Sequence, residues 1–440
     1  MVIIEMKRIA FYYTNRNFAN RDCSSLSAGN PGIGGTFFAM LQVINGLGEF
    51  NLKDFELYLF AEEKQKLPSN LNVILTPSVD ILAQKLIAKK IDILVVNKIG
   101  ANTCTNSFFN KLRNTNVDIF VWCHCFVTNK GLNILSKEPL VKKIVAVSKT
   151  QYKTWYDHKI FKKATYIYNI CDFVNPERVP FELRDSDVVY VGAINSIKGV
   201  HYLTEAWNYV LSYFPHSNLY IIGSGMLYGT STKMGKFGIA ERFYEKRLLK
   251  PILKDGKIIP SVHFCGILGG EKWKYLNSCK VGVVNAASWE TFGYTMIEMQ
   301  LAGLLVASYK SPGLIDTMYP NDGILYDSPR KLGASIVKLL NVKSHNDEDG
   351  IEYINNNFSK DIVLRRWCQL FQGVDLSLSE LDACNFNYLK IVNINKKIKK
   401  YIPFLPSIIL YRDCWLLMKK IIVLLGEPGK VFSKVLNLIK

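Results

Sequence analysis

Acidic residues are scarce in this chain: 37 Asp and Glu stand against 55 Lys and Arg, giving a formal charge of +18 and a sequence pI near 9.3. That surplus calls for an anionic partner or surface. Zinc-finger spacing, an RNP-like aromatic run and dense Arg tracts are all missing, so no nucleic acid is expected and anionic lipid or phosphorylated substrates fit better. The ten cysteines form no short, evenly spaced framework, and no charged, then apolar, then small-residue leader follows Met1. A reduced cytoplasm is the expectation. Cys123-His124-Cys125 resembles a metal motif, but it lies in the apolar run Ile119 to Val127, where alternation sends both cysteines to one face. No Asp-x-Asp pair is read at a strand end to hold a metal, so neither a metal nor a cofactor is anticipated.

What is present is folded-protein composition, 49% hydrophobic and 21% charged over 440 residues, enough for two domains with their own cores. Short apolar runs at Arg8 to Tyr13, Phe55 to Phe60, Ile91 to Val96, Ile119 to Trp122 and Ile144 to Val147 alternate with helix-length stretches. That alternation predicts a parallel α/β sheet. The pattern pauses in a loop around Asn175-Pro176 and resumes with strands at Val188 to Val191, Leu219 to Ile222, Val262 to Cys265, Val281 to Asn285 and Leu304 to Ala307. A first domain over 1–175 and a second over 176–375 follow.

Two segments stand apart. Between Gly225 and Pro260 lies a Lys-rich insertion with a helical stretch Ile239 to Leu253, read either as a flap over a cleft or as a solvated loop and surface helix. The tail, 376–440, is basic and amphipathic: from Lys390 to Lys440 eleven Lys or Arg face only Asp413 and Glu427. Its charges interrupt any apolar run of the roughly 18 residues needed to span a bilayer. A helix lying in the membrane surface and an ordinary docking helix both suit it.

Chemistry concentrates in three places. The segment Ser288 to Glu298 reads as loop then helix, with Glu290 at the C-terminal edge of a strand, where ligands of open α/β sheets gather, and Glu298 two turns on. The helix start near Gly293 offers the free amides of Phe292, Gly293, Tyr294 and Thr295 to a diphosphate. A strand ending at Gly192 leads to Lys198-Gly199, where a cation can neutralise a departing diphosphate. Near the N-terminus, Pro31-Gly32-Ile33-Gly34-Gly35-Thr36 forms a Gly-rich loop opening a helix through Leu47.

Over residues 1 to about 375 these features resemble the retaining family-4 glycosyltransferases of the GT-B fold, with two Rossmann-like domains facing a central cleft. The most specific match is the acidic pair spaced by seven residues, Glu290 and Glu298, with Phe292-Gly293 between. Lys198-Gly199, Gly32 to Thr36, the strand ending in His124, Val145 to Ser148 and Leu219 to Gly225 support it. The resemblance implies that Glu298 binds the nucleotide ribose, Glu290 and His124 contact the transferred sugar, Gly34 and Gly35 lie near the donor phosphates or acceptor, and the backbone around Gly266 meets the base. It implies a UDP- or GDP-sugar donor and a saccharide or lipid-linked saccharide acceptor in cell-surface polysaccharide or lipopolysaccharide synthesis. An anionic membrane surface would hold the enzyme peripherally on the inner face of the cytoplasmic membrane. Many members carry Arg after the glycine of the phosphate loop, where this chain has Ala193; Lys198 alone, or a Lys of the 233–250 insertion, must then serve. A catalytically idle binding scaffold and a nucleotide-sugar epimerase on the same fold are the rival readings.

Overall fold

A computed structural model describes residues 6–26, 29–50, 54–98, 103–173, 178–225, 233–376 and 386–424. The loop at Asn175-Pro176, the insertion residues 226–232 and the tail beyond 424 lie outside the described residues. The first sheet has seven parallel strands: β1 (Lys7–Tyr13), β2 (Phe55–Ala61), β3 (Val73–Leu75), β4 (Ile93–Asn97), β5 (Asp118–Cys123), β6 (Val141–Ala146) and β7 (Ala164–Tyr166), in the order β3-β2-β1-β4-β5-β6-β7. The second contains β8 (Asp185–Val191) and β9 (Leu219–Ile222). After a small antiparallel hairpin of β10 (Leu253–Lys254) and β11 (Lys257–Ile258), it continues with β12 (Val262–Gly266), β13 (Cys279–Val284), β14 (Leu305–Tyr309) and β15 (Gly323–Tyr326). Its order is β12-β9-β8-β13-β14-β15. Helices cover both faces of each sheet, which is why the central strands read as continuous apolar runs instead of alternating ones. β4, for example, is buried at every position.

Each sheet reverses its winding once, between β1 and β4 and between β8 and β13. Ligands of such sheets bind beyond the C-terminal strand ends at these switch points. β8 opens on Asp185-Ser186-Asp187, an Asp-x-Asp pair after all, but at the opposite edge of the sheet, where Asp187 accepts the Asn218 amide at 2.7 Å.

The chain crosses back before residue 375. The helices Glu348–Phe358 and Lys360–Phe371 place Phe358, Leu364, Trp367 and Phe371 in one core cluster with Ile9, Phe11 and Trp122 of the first sheet. The Trp122 and Trp367 rings lie 4.8 Å apart, edge to face.

The tail forms helices Asn387–Ile398 and Ile408–Leu424. Leu389, Val392 and Asn395 are buried, and Ile409 joins the core that holds Leu132 and Trp155. Asp157 of the first domain anchors both helices, accepting from Asn395 Nδ2 at 2.6 Å, Ser407 Oγ at 2.7 Å and the Ile408 amide at 2.8 Å. The tail is therefore docked along one face while Ile391, Ile394 and Ile398 stand exposed on another. Among the described residues no helix is long and apolar enough to cross a membrane.

The described part of the insertion is ordered against the second domain. Buried Glu245 accepts the amides of Phe237, Ile239 and Ala240, and Tyr244 Oη accepts the His201 amide. The Cys123-His124-Cys125 expectation fails for a local reason. β5 ends at Cys123, and Gln151 Nε2 donates to the carbonyls of Cys123 and Cys125 at 3.1 and 3.3 Å, turning the chain so that Cys123 is buried and Cys125 exposed.

Candidate active site

The loops at the second switch point supply a cation and an acid. The Lys198 amide donates to Asn195 Oδ1 at 2.9 Å and the Lys198 carbonyl accepts the Ala286 amide at 3.0 Å, tying the β8 loop to the β13 loop. Across that tie, Lys198 Nζ pairs with Glu290 Oε2. The Glu290 loop is shaped by Asn285, left-handed at φ +45°, whose Oδ1 accepts from Ser288 Oγ at 2.9 Å, and by the Gly313 amide, which donates to the Glu290 carbonyl at 2.8 Å. A Cβ at Gly313 would sit 2.2 Å from the Phe292 nitrogen, so only glycine permits this approach.

Two helix N-termini converge here, and neither has a side-chain cap. The helix Tyr294–Leu301 starts from Gly293 at φ +97°, and the helix Gly35–Glu49 starts from Gly34 at φ +76°. A Cβ at Gly35 would touch the Tyr294 ring at 3.4 Å, so the two starts meet across the domains. Uncapped first-turn amides carry partial positive charge and favour an anion. Asn30 Oδ1 shapes the first loop by accepting the amides of Gly32 and Ile33.

His124 comes to the same place from β5. Its carbonyl accepts Thr291 Oγ1 at 2.5 Å, joining the turn to the Glu290 loop, and its ring packs on Trp122 with centroids 4.4 Å apart. Both ring nitrogens are buried, and that burial lowers the ring pKa to about 3 against a smaller opposing pull from Asn169. At neutral pH the imidazole is uncharged, so it suits hydrogen bonding to a neutral hydroxyl and not ion pairing.

Glu298, on the second turn of the Tyr294–Leu301 helix, is buried and holds Lys272 Nζ at 2.5 Å. Lys272 is absent from the sequence expectations. Its signal was a lysine at the first position of a helix, Lys272–Ser278, where the dipole disfavours a cation unless a partner holds it. Ala193, by contrast, is buried. Gly266, φ +71°, leaves open space where a side chain would stand, whereas a Cβ at Gly223 would collide with the Gly192 carbonyl. The Gly192 amide is committed to the Ile222 carbonyl at 3.0 Å, so Gly192 provides close packing and not a free donor. The Phe292 ring packs in the core against Tyr168 and Phe358, leaving its backbone as the part that faces the helix start, and Thr295 is half-buried on the first turn.

The tail also reaches this site. Trp289, next to Glu290, packs against Phe126 at 5.3 Å, Phe386 at 5.8 Å and Tyr388 at 4.9 Å. Arg412 donates to the Val127 carbonyl at 3.0 Å and Asp413 accepts the Asn129 amide at 2.7 Å, so the tail grips the loop after His124 as well. Among the described residues no group of three or more His, Cys, Asp or Glu is arranged to hold a metal ion.

Residues 185–342, essentially the second sheet with its helices, match the family described as Glycosyl transferases group 1. The whole arrangement is similar to HepE from Anabaena in complex with UDP-glucose, with TM-score 0.60 and 14% identity over 83% of this chain and 99% of that one. It is similar to a glycosyltransferase from Rickettsia africae at TM-score 0.59 and 14% identity, covering 84% and 98%. It is similar to the lipopolysaccharide outer core galactosyltransferase WaaB at TM-score 0.57 and 16% identity, covering 83% and 99%. A comparison with curated proteins gives no match. The fold is GT-B, two parallel-sheet α/β domains facing a cleft, with a helical C-terminal tail added.

Proposed function

We propose that this protein is a retaining glycosyltransferase of the family-4 type, moving a sugar from a UDP- or GDP-sugar to a saccharide or lipid-linked saccharide in cell-surface polysaccharide synthesis. The observation that carries this reading is the arrangement of Lys198 with Glu290 and Lys272 with Glu298 beside the two uncapped helix starts at Gly34 and Gly293. Four charges in two neutral pairs form a site ready to exchange its internal partners for a diphosphate and a ribose. The similarity to HepE, crystallised with UDP-glucose, supports a nucleotide-sugar donor.

In this reading Glu298 accepts the ribose hydroxyls and Lys272 turns to the phosphates, supplying the second cation that Ala193 does not. The bond from the anomeric carbon to the diphosphate oxygen breaks as Lys198 and the amides at Gly293 stabilise the developing charge. The acceptor oxygen bonds to that carbon from the same face and passes its proton to the departing phosphate oxygen. Glu290 and neutral His124 orient the sugar. The exposed apolar and basic tail supports an acceptor held at an anionic membrane, on its cytoplasmic side.

The test is transfer from radiolabelled UDP-glucose or GDP-mannose to a membrane lipid extract, with wild type and Glu290→Gln compared. Turnover is expected to fall about 100-fold or more in the variant while donor affinity changes little. Donor binding without transfer by the wild type to any acceptor would favour the idle scaffold. Conversion of the donor sugar without an acceptor would favour the epimerase.

A further inference from the structure

The docked tail and the first domain enclose a second site, away from the cleft. A cavity of about 400 Å³ lies between them, lined by Lys159 and Lys162 of the first domain, Lys396 and Lys399 of the tail, and Phe404. Asp157 is the one carboxylate in its lining, and it is fully engaged by Asn395, Ser407 and the Ile408 amide, with Lys399 Nζ at 3.9 Å balancing its charge. His158 adds no charge at neutral pH, since burial lowers its pKa to about 4. Lys159, Lys162 and Lys396 therefore leave the cavity with a surplus of positive charge that nothing in its own lining neutralises.

The cavity is bordered by large apolar side chains standing in water. Phe404 is 88% exposed and Tyr401 87%. On the adjoining helix Ile391, Ile394 and Ile398 are exposed at helical spacing while Leu389, Val392 and Asn395 are docked, so this helix is apolar on two faces and covered on one. Lys390, Lys397 and Lys400 are exposed beside them. A basic hollow next to exposed aromatics matches the charge and polarity profile of a bilayer interface with anionic head groups. Free nucleic acid or a soluble phosphate would account for the lysines and leave the apolar face unexplained.

We propose that this cavity receives the head-group phosphate of an anionic phospholipid while Tyr401 and Phe404 enter the bilayer interface. The membrane site is then bipartite, built jointly by the first domain and the tail, and a tail released from the body would lack half of it. This deepens the membrane part of the function proposed above and rests on it, but not on glycosyl transfer itself.

The experiment is co-sedimentation of the full chain with vesicles of phosphatidylcholine alone or with phosphatidylglycerol, at physiological salt. Wild type is expected to bind the mixed vesicles and not the neutral ones. The double variant Lys159→Glu/Lys162→Glu, outside the tail, should lose roughly tenfold or more in affinity. A double reversal of the same net charge at exposed Lys64 and Lys338 should lose far less. Tyr401→Ser/Phe404→Ser should lose binding that persists in wild type when salt is raised. Equal losses in the two charge-reversed proteins would overturn the site in favour of net charge alone, and no loss in either would overturn it outright. UDP titration of each variant checks folding: retained UDP binding with lost vesicle binding supports the proposal, whereas lost UDP selectivity in the wild type would remove the donor reading and leave the vesicle result standing.

Discussion

Replacing Asp157 by Ala should release the tail while leaving the two-sheet body intact. The side chain of Asp157 is wholly buried and accepts three hydrogen bonds of 2.6 to 2.8 Å, all from residues 395 to 408, with Lys399 alongside. Each bond to a charged acceptor is worth about 1.5–3 kcal/mol in mutational terms, but the three act together and cannot be summed. Removing one partner of a buried charged network costs about 3–5 kcal/mol, much of it from donors left unpaired. Here the stranded groups are Asn395, Ser407 and the Ile408 amide, and lifting the tail away returns all three to water. The tail's opening equilibrium should shift by about two to three and a half powers of ten. Native-state hydrogen exchange reads this directly: amides of 389–399 and 410–418 should exchange about a hundredfold or more faster, while those of β1, β4 and β5 keep their protection. Asp157→Asn, which keeps one acceptor oxygen, should fall between. Unchanged exchange in the tail, or equal acceleration throughout the molecule, would refute the assignment of Asp157 as the tail's anchor.

Lys272→Met should weaken UDP binding by about 10- to 100-fold, the worth of a charge-assisted hydrogen bond plus the repulsion of an uncompensated Glu298, with little effect on uridine. Equal affinity for UDP by titration calorimetry would remove Lys272 from the donor site. Asp316 links the domains by accepting Thr150 N at 2.7 Å and Thr150 Oγ1 at 2.5 Å, and burial raises its pKa from 3.8 to about 6. A carboxyl whose folded pKa is raised stabilises fully below about pH 4 and loses that contribution as pH rises through about 6, a swing of up to about 3 kcal/mol. Urea unfolding of Asp316→Asn should therefore show a flatter stability curve across that window, and an unchanged slope would contradict the assignment.

The central strands were legible because burial on both faces writes four or more consecutive apolar residues, as in Ile93-Leu94-Val95-Val96 of β4. β3, β7 and β15 were not, since three or four residues at a sheet margin establish no period. Glu290 and Glu298 could be read as a pair because one loop–helix unit sets their spacing. Lys272 lies 26 residues from its partner in sequence, and its position at a helix start says only that a cation there needs an acid, not that the acid is Glu298. The tail posed the same difficulty on a larger scale. Apolar residues at helical spacing marked both the docked face of Leu389 and Val392 and the exposed face of Ile391 and Ile394, and periodicity does not tell which is covered. Its anchor, Asp157, is 238 residues before Asn395. The Cys123 and Cys125 expectation failed because alternation was extended past the end of β5, where Gln151 turns the chain.

The central claim, a nucleotide-diphosphate site built on Glu298, Lys272, Lys198 and Glu290 at the two helix starts, is tested most directly by calorimetric titration of UDP and GDP. Wild type and Glu298→Ala should be compared at one moderate salt concentration, because a protein of charge +18 attracts any polyanion. Saturable one-to-one binding of one nucleotide, weakened at least tenfold in the variant, is the expected result. Weak binding of both nucleotides, equal in the two proteins and abolished by added salt, would contradict it.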